Sequence, residues 1–414
     1  MDRLKFYGRR DSADVYPLRE FLSRSVVEFD WIEVSNDDLI AEDKTISPLK
    51  HSDSAAIQFP DGDLVLNPTV EQIAMHLGWI KKPSLSEYDV SIYGAGPAGL
   101  SAAVYAASEG LKTILVEKQA IGGQAGTSSL IENYMGFPKG ICGAELAERA
   151  RQQALKFGVE ILLLGEGIKG SFYNKRIYVD LANGDKMVAK ANICATGVEY
   201  AELNLPNEKD FFNKGVYYGA GAAEACFCHG KDVYIVGGGN SAGQAASYFS
   251  GFARTVYMVI RRNNLAETLS DYLLKRITNI PNIIILYNSQ VKELEGDDLL
   301  QRIRIFNSET GKDTWHDTGK LFICIGGKPN TDWAKETSII RDRNGYLITG
   351  SDLINLDSFK ACWNEDRLPY HLETSVPGSF AAGDVRFNSV KRVASAVGEG
   401  AMAVTMVHKY LAEL

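Results

Sequence analysis

The chain has 414 residues, more than one compact core usually holds, so we expect two or three domains. Apolar residues make up 45% of the chain and charged residues 23%, as in an ordinary globular protein, and the net charge of −8 argues against nucleic acid or an anionic membrane surface as a partner. No apolar run approaches the roughly 18 residues of a membrane span, and the first residues lack the apolar core of a secretory signal.

The first 84 residues are predicted to form a small α/β unit followed by a linker. Strands are predicted at LKFYG, VVEFDWIEV, AIQF and LVLN, and helices at VYPLREFLS and NPTVEQIAMHLGW. The turn PDGD separates the last two strands, and Gly78 lies where a glycine commonly ends a helix. The polar, proline-containing stretch KKPSLSE is predicted to be the linker.

Two strand–turn–helix–strand units follow, the only internal repeat in the chain. The first is DVSIYGAGPAGLSAAVYAASEGLKTILVEK, and the second is KDVYIVGGGNSAGQAASYFSGFARTVYMVIRR. Each is typical of a βαβ unit with a right-handed crossover and therefore of a parallel sheet. The fold class predicted is α/β, with two Rossmann-like nucleotide-binding domains in three layers.

The first glycine loop, GAGPAG, follows a strand and opens a helix. Gly94 permits a tight turn, Gly96 lets the backbone approach a pyrophosphate, and Gly99 allows close packing of helix and strand. Glu117 stands about twenty residues on, at the end of the next strand, where a carboxylate suits a ribose diol and repels a 2′-phosphate. This loop therefore favours FAD.

The second loop, GGGNSAG, has the G-x-G-x-x-A form through Gly237, Gly239 and Ala242. Its second strand ends in Arg261 and Arg262 instead of an acid. Two guanidinium groups at that point can pair with the 2′-phosphate of NADP. This loop therefore favours NADPH, the alternative being a basic, solvated strand end.

Three further stretches are weak signals alone. GGQAGTSSLIENYMGFP, residues 122–138, is rich in glycine and amides and suits a flavin ring. ICATG, residues 193–197, is predicted to be a buried strand leaving a domain. FAAGD, residues 380–384, places an acid after a strand, where it could accept a hydrogen bond from the ribityl chain.

Together these motifs stand in the order and spacing of the low-molecular-weight thioredoxin reductases, which the region from Tyr88 to Leu414 resembles. IGGKPNT and KRVASAVGEGAMAV add to the likeness. The resemblance implies a homodimer and an FAD domain in two segments around an NADPH domain. The predicted boundaries are 1–84 for the N-terminal domain, 85–198 and 326–414 for the FAD domain, and 199–325 for the NADPH domain.

The resemblance also implies which residues bind the two cofactors. For FAD they are Gly94, Gly96, Pro97, Ala98, Gly99, Glu117, Lys118, Gly123, Gln124, Asn133, Ala195, Thr196, Gly197, Gly383, Asp384, Lys391, Arg392, Val393 and Ala394. For NADPH they are Gly237, Gly239, Asn240, Ser241, Ala242, Arg261 and Arg262.

One motif of that family is missing. The family carries a C-x-x-C pair shortly after a G-V-x-x segment, but GVYY is followed here by glycine and alanine at 219–222, which have no redox chemistry. Cys226 and Cys228 come seven and six residues too late, and C-x-C spacing closes a strained ring. An inert pair is favoured over a redox pair, and no catalytic residue is assigned.

The remaining thiols and histidines suggest no other centre. Cys194 and Cys324 lie in apolar strands and are predicted to be core residues. Six cysteines in a chain of this length do not form a disulfide framework, so we expect a reducing, cytoplasmic location. The six histidines show no metal spacing, and no bound metal is predicted.

The N-terminal domain is predicted to be degenerate in the same way. YGRRDSADVYPLREFL resembles the strand–turn–helix of a glutaredoxin, with Ser12, Ala13, Asp14 and Val15 in the C-x-x-C positions. A thioredoxin-like domain without thiols and a generic α/β cap are both open. A docking or dimer-stabilising role fits either one.

These observations predict an FAD- and NADPH-binding oxidoreductase of the thioredoxin reductase group without the group's disulfide. Electrons would pass from the flavin to a quinone, oxygen, a small disulfide or a protein carrier. Three alternatives are open: a ferredoxin–NADP reductase of the related type, a non-enzymatic flavin-bound sensor or scaffold, and a disulfide reductase that uses Cys226 and Cys228. The chain ends straight after its last helix, at HKYLAEL, which disfavours the ferredoxin enzyme.

Overall fold

The computed structural model describes residues 3–9, 12–34, 54–219, 224–225 and 228–414. These residues form two compact units. The first unit comprises Met1–His76, Thr127–Leu130 and Tyr200–Gly327, and the second comprises Leu77–Gly126, Ile131–Glu199 and Lys328–Leu414.

The strands and helices follow the predicted βα pattern. In chain order the strands are β1 Leu4–Gly8, β2 Phe29–Glu33, β3 Ala56–Gln58, β4 Leu64–Leu66, β5 Tyr88–Tyr93, β6 Thr113–Glu117, β7 Glu160–Leu163, β8 Gly167–Tyr173, β9 Arg176–Leu181, β10 Lys186–Cys194, β11 Val198–Tyr200, β12 Val216–Tyr218, β13 Asp232–Val236, β14 Thr255–Val259, β15 Ile283–Leu286, β16 Ser289–Gly296, β17 Leu300–Asn307, β18 Lys312–Asp317, β19 Leu321–Ile323, β20 Gly327–Pro329 and β21 Ser379–Ala381. The helices are α1 Val15–Arg24, α2 Val70–His76, α3 Pro97–Ser108, α4 Gly143–Lys156, α5 Asn240–Phe249, α6 Asp271–Thr278, α7 Asp357–Cys362 and α8 Val393–Leu411.

The first unit contains the N-terminal domain, a four-stranded sheet in the order β2-β1-β3-β4. β1 runs parallel to β2 and antiparallel to β3. Phe6, Leu22, Ile57 and Ile73 are fully buried and come from β1, α1, β3 and α2. The alternation predicted for VVEFDWIEV yields a shorter strand, β2.

The rest of the first unit is built on a parallel sheet in the order β12-β19-β13-β14-β15. Ile235 of β13 pairs with Met258 of β14 and with Phe322 of β19. All three side chains are buried, as expected for central strands covered on both faces. An antiparallel sheet, β16-β17-β18, completes this region. We call this region, Tyr200–Gly327, the inserted domain.

The second unit is built on a seven-stranded sheet in the order β7-β6-β5-β10-β9-β8, with β21 beside β10. β5 is parallel to β6 and β10, and β21 is parallel to β10, so these strands end at one edge. Ile92, Ile193 and Phe380 are in register across three of the strands and are fully buried. β9 is antiparallel to β10 and to β8, so this sheet is mixed. The parallel strands of the two sheets confirm the α/β prediction with Rossmann-like domains.

No helix among the described residues is both long and apolar enough to cross a membrane. The three predicted domain boundaries, at residues 84, 198 and 325, stay a prediction.

Candidate functional site

The first glycine loop connects β5 to α3 and is shaped by two crowded glycines. Gly94 has a φ of +99°, and a Cβ atom there would overlap the backbone of Ala195. A Cβ atom at Gly99 would overlap the carbonyl oxygen of Gly94. Both positions therefore require glycine, one for its backbone angle and one for close packing of helix against strand.

The middle of this loop is open. Gly96 caps α3, and the nearest atom to a Cβ there would be the Cα of Gly123, 3.9 Å away. Pro97, Ala98 and Gly99 form the first turn of the helix, where backbone N–H groups lack helical acceptors. An open glycine beside the N-terminus of a twelve-residue helix suits a pyrophosphate.

Glu117 is held rigidly at the end of β6. Its Oε2 accepts a hydrogen bond from the backbone N–H of Ala95 at 2.7 Å, and its Oε1 accepts one from that of Gln119 at 2.8 Å. The residue is only 8% exposed. A carboxylate oxygen has two lone pairs and can accept more than one hydrogen bond, which suits the hydroxyls of a ribose diol. The neighbouring Lys118 forms an ion pair with Glu199 at 3.0 Å.

The second half of the chain returns to this loop. A Cβ atom at Gly383, which has a φ of +80°, would lie 2.9 Å from the Cβ of Ala98. The backbone N–H of Gly383 donates a hydrogen bond to Oε2 of Glu399 at 2.7 Å. A Cβ atom at Gly400 would overlap the carbonyl group of Ala98. The start of α3, the turn at Gly383 and α8 therefore meet, as the predicted FAD residues require.

Asp384 and the start of α8 lie beside this turn. Burial raises the pKa of Asp384, and Glu399 raises it further, whereas Lys391 lowers it. Nζ of Lys391 donates to the backbone carbonyl of Asp384 at 2.6 Å. Arg392 caps α8, so Val393 and Ala394 form its first turn.

The other predicted flavin residues are distributed unevenly. Ala195 directly follows β10. In the next residue, Oγ1 of Thr196 donates a hydrogen bond to the carbonyl of Asn330 at 2.9 Å. Gly197 has a φ of +63°. Nε2 of Gln124 donates to the carbonyl of Val198 at 2.8 Å, which brings Gln124 to the same segment. Gly123 faces Gly96, with its Cβ position 3.1 Å from the Cα of Gly96.

Asn133 is exposed and lies near the β-bridge between Ile131 and Ile141.

Taken together, the open glycine at 96, the N-terminus of α3 and the fixed carboxylate of Glu117 are the three features that the adenosine diphosphate half of FAD requires. The residues of the second unit therefore fit FAD.

The second glycine loop, between β13 and α5, repeats the same steric pattern. Gly237 has a φ of +142°, and a Cβ atom there would overlap the carbonyl of Cys324. Gly239 caps α5 and has open space around its Cβ position. Ser241 is exposed in the first turn of α5, and Ala242 is fully buried. The loop fits a second dinucleotide.

Two side chains after this loop fix its surroundings. Oδ1 of Asn240 accepts hydrogen bonds from the backbone N–H and the hydroxyl of Ser270, at 2.8 and 2.9 Å. Arg261 and Arg262 are exposed after β14, and Arg262 forms a 3.2 Å ion pair with Glu267. Sequence reasoning missed Glu267, a carboxylate that competes with a 2′-phosphate for Arg262.

Gly219 is the first of the positions where the resemblance to thioredoxin reductases predicts a C-x-x-C pair. It has a φ of +78°, and a Cβ atom there would lie 2.5 Å from the hydroxyl oxygen of Tyr200. The Tyr200 hydroxyl lies 3.2 Å from Oγ1 of Thr127, and burial raises its pKa to about 12. Tyr200 therefore occupies the space that a side chain at 219 would need. Sequence reasoning missed it, because only the fold brings the two residues together.

The cysteines of the described residues are mostly buried. Cys228 is 0% exposed, and its Sγ donates to the backbone carbonyl of Glu224 at 3.3 Å. Burial raises the pKa of both Cys194 and Cys324 to about 12, so both stay protonated at neutral pH, as expected of core residues. Cys226 lies outside the described residues. Within the described part of the chain, no group of three or more histidines, cysteines and carboxylates could hold a metal ion.

Residues 88–400 match the family described as pyridine nucleotide-disulphide oxidoreductase. The chain belongs to this family. It is 33% identical over 340 residues to a thioredoxin reductase of Peptoclostridium acidaminophilum, covering 78% of this chain and 97% of the relative. It is 34% identical over 328 residues to the thioredoxin reductase of Bacillus subtilis, covering 79% and 96%.

Two further likenesses extend the comparison. An NADH dehydrogenase of Ferdinandcohnia aciditolerans is 32% identical over 350 residues, which are 83% of this chain and 62% of that protein. The crystal structure of Lactococcus lactis thioredoxin reductase is 30% identical, with a TM-score of 0.70, and covers 79% of this chain and 100% of its own.

The resemblance inferred from the motifs is thus confirmed at the level of the family. The chain is a pyridine nucleotide-dependent flavoprotein oxidoreductase. Thioredoxin reductases of this family contain FAD and depend on NADPH, so these are the cofactors that the family assignment gives. The non-enzymatic alternative is not retained.

Proposed function

We propose that this chain is an FAD-dependent oxidoreductase that takes hydride from NADPH and passes electrons to an acceptor without a cysteine pair of its own. The observation that carries the proposal is the position of Tyr200. Its hydroxyl lies where a side chain at Gly219 would begin, and the left-handed backbone of Gly219 is itself unfavourable for cysteine. Even a reversion of the sequence to cysteine would need Tyr200 to move.

The second unit would hold FAD. Gly96 and the first turn of α3 would bind the pyrophosphate, and Glu117 would bind the adenosine ribose. Gln124, Asp384 and the first turn of α8 are proposed to contact the flavin half, as the family resemblance implies. Bound FAD supplies the redox chemistry, because it accepts hydride from a nicotinamide and passes electrons on.

The inserted domain would hold NADPH. Gly239 leaves the start of α5 open to the phosphates, and Ser270 fixes Asn240 beside it. Arg261 and Arg262 would bind the 2′-phosphate through charge-assisted hydrogen bonds. NADH is the alternative hydride donor, because one relative is named NADH dehydrogenase. The ion pair between Arg262 and Glu267 favours NADH, since Glu267 competes with the 2′-phosphate of NADPH for Arg262.

Several finer features remain proposals. They are the three segment boundaries at 84, 198 and 325, a homodimer, a cytoplasmic location and an acceptor that is a quinone, oxygen, a small disulfide or a protein carrier. A ferredoxin acceptor belongs to the same panel.

The disulfide-reductase alternative is disfavoured by Cys228. Its thiol is fully buried and hydrogen-bonded to a backbone carbonyl, whereas a redox-active thiol is partly exposed in electropositive surroundings. A Cys228→Ser variant that loses disulfide reduction by NADPH would restore that alternative.

The proposal is tested by anaerobic stopped-flow mixing of the FAD-loaded chain with NADPH or NADH. We expect the flavin absorbance near about 450 nm to be bleached, faster with NADPH than with NADH at equal low concentrations. Reoxidation is then followed with a quinone, oxygen, ferredoxin, glutathione disulfide and thioredoxin. We expect thioredoxin to be inactive, and an unbleached flavin would contradict the proposal.

A further inference from the structure

The N-terminal domain and the inserted domain are joined by a buried contact within the first unit. Tyr16, in the first turn of α1, is 7% exposed. Its ring lies 5.2 Å from that of Tyr217 in β12, and its hydroxyl donates a 2.5 Å hydrogen bond to Oε1 of Glu224. Both partners belong to the inserted domain. We call Tyr16, Tyr217 and Glu224 the docking contact.

The docking contact combines apolar packing of the tyrosine rings with buried hydrogen bonds. Tyr16 belongs to the same buried cluster as Phe249 and Phe322 of the inserted domain. Glu224 is 5% exposed, and a buried carboxylate is costly unless hydrogen-bond donors reach it. Nζ of the buried Lys320 donates to the hydroxyl of Tyr217 at 3.3 Å. A buried ring combined with a charge-assisted hydrogen bond specifies one partner in one position.

The place of this contact in the sequence is informative. α1 begins at Val15, the second position where the glutaredoxin resemblance expects a thiol, and Glu224 lies five positions after Gly219, where the reductase resemblance expects one. Two domains that exchanged electrons through thiols would have to meet at these two places. Here they meet through a phenol and a carboxylate, which cannot form a disulfide.

We propose that the N-terminal domain is a built-in partner of the inserted domain, docked through Tyr16, and that it excludes disulfide-bearing proteins from the face that it covers. Cys228 reports on that face, because its thiol is fully buried and hydrogen-bonds to the backbone of Glu224. The proposal does not depend on flavin turnover, so its test can fail while the proposed function stands.

The test measures alkylation of the FAD-loaded full chain by iodoacetamide, with the label located by mass spectrometry on Cys228 separately from Cys226. The variants are Tyr16→Phe, Glu224→Gln and Tyr16→Ala. Tyr7→Phe is the matched control, since it removes the same hydroxyl from a tyrosine that packs in a cluster of the N-terminal domain itself. Cys194, buried in the second unit, reports global unfolding.

We expect Tyr16→Phe and Glu224→Gln to speed the labelling of Cys228 by roughly tenfold or more, as for loss of a hydrogen bond to a buried charge, with Cys194 unchanged. The double variant should add little to either single change. Tyr7→Phe should behave as the wild type. Equal labelling of Cys228 in the wild type, Tyr16→Phe and Glu224→Gln would overturn the docking.

A protein-sized probe tests the exclusion. Thioredoxin carrying 5-thio-2-nitrobenzoate on its active-site cysteine reacts with a thiolate, which forms a new S–S bond to the thioredoxin sulfur while thionitrobenzoate leaves with the bonding electrons. We expect no reaction at Cys228 in the wild type and reaction in Tyr16→Ala. If Tyr16→Ala exposes Cys194 as well, Tyr16→Phe decides. Wild-type reaction as fast as that of the variants would overturn the exclusion.

Discussion

The two glycine loops meet the same steric demand and differ in the charge that follows them. Gly94 and Gly237 both have positive φ, and both lie against the strand that ends beside them, so neither tolerates a side chain. Gly96 and Gly239 both cap a helix and leave space in front of it. The backbone therefore makes two dinucleotide sites without saying which nucleotide each one takes.

That choice comes from the end of the second strand in each repeat. In the second unit it is the buried Glu117, fixed by two backbone N–H groups. In the inserted domain it is the exposed pair Arg261 and Arg262, one of which is held by Glu267. The rigid carboxylate of Glu117 suits a ribose without a 2′-phosphate, as in FAD, whereas the exposed arginines can accommodate either NADPH or NADH.

The largest effect is expected from alanine at the crowded glycines. Gly94→Ala should prevent FAD binding, because overlap with backbone and an unfavourable φ together exceed about 4 kcal/mol. Gly237→Ala should abolish NADPH binding and leave FAD bound, which separates the two loops. FAD content and NADPH titration measure both. Gly398→Ala, in a helix with open space at that glycine, is the matched control and should lose neither cofactor.

The next effect concerns the charges. Glu117→Gln should weaken FAD binding by roughly 10- to 100-fold, since a charge-assisted hydrogen bond is replaced. Replacing Arg261 and Arg262 with serine should raise KM for NADPH by about 10- to 100-fold and leave KM for NADH within about twofold. Equal losses for both nicotinamides would show that these arginines do not bind a 2′-phosphate.

A smaller effect is expected at Glu267. Its exposed ion pair with Arg262 is worth no more than about 1 kcal/mol. Glu267→Gln should therefore lower KM for NADPH by about two- to fivefold and leave KM for NADH unchanged. An increase in KM for NADPH would mean that Glu267 positions Arg262 instead of competing for it.

The smallest effect is a pH dependence of the thermal stability of the chain without FAD, which arises at Asp384. Burial raises the pKa of Asp384 above 3.8, so folding favours its protonated form. The stabilising contribution is complete below the unfolded pKa and is lost as pH rises through the folded pKa. Between about pH 4 and 7, the Tm of the apo chain should fall relative to that of Asp384→Asn. A constant difference would contradict this.

Short-range features were predictable from the sequence, and long-range ones were not. The roles of Gly94 and Glu117 depend on one βαβ unit, whose spacing is fixed by the geometry of the crossover. The contact between Tyr200 and Gly219 joins two residues that are distant in the chain, so the periodicity of the sequence does not predict it. Tyr16 meets Glu224 across 208 residues, and only the packing of two domains brings them together.

The count of electrons needed to reduce the chain tests the central claim most directly. Flavin takes two electrons, and a redox-active disulfide takes two more. In an anaerobic dithionite titration of the FAD-loaded chain, followed at the flavin band, complete reduction should require one two-electron equivalent per FAD. Two equivalents per FAD would show a disulfide in exchange with the flavin and would contradict the account.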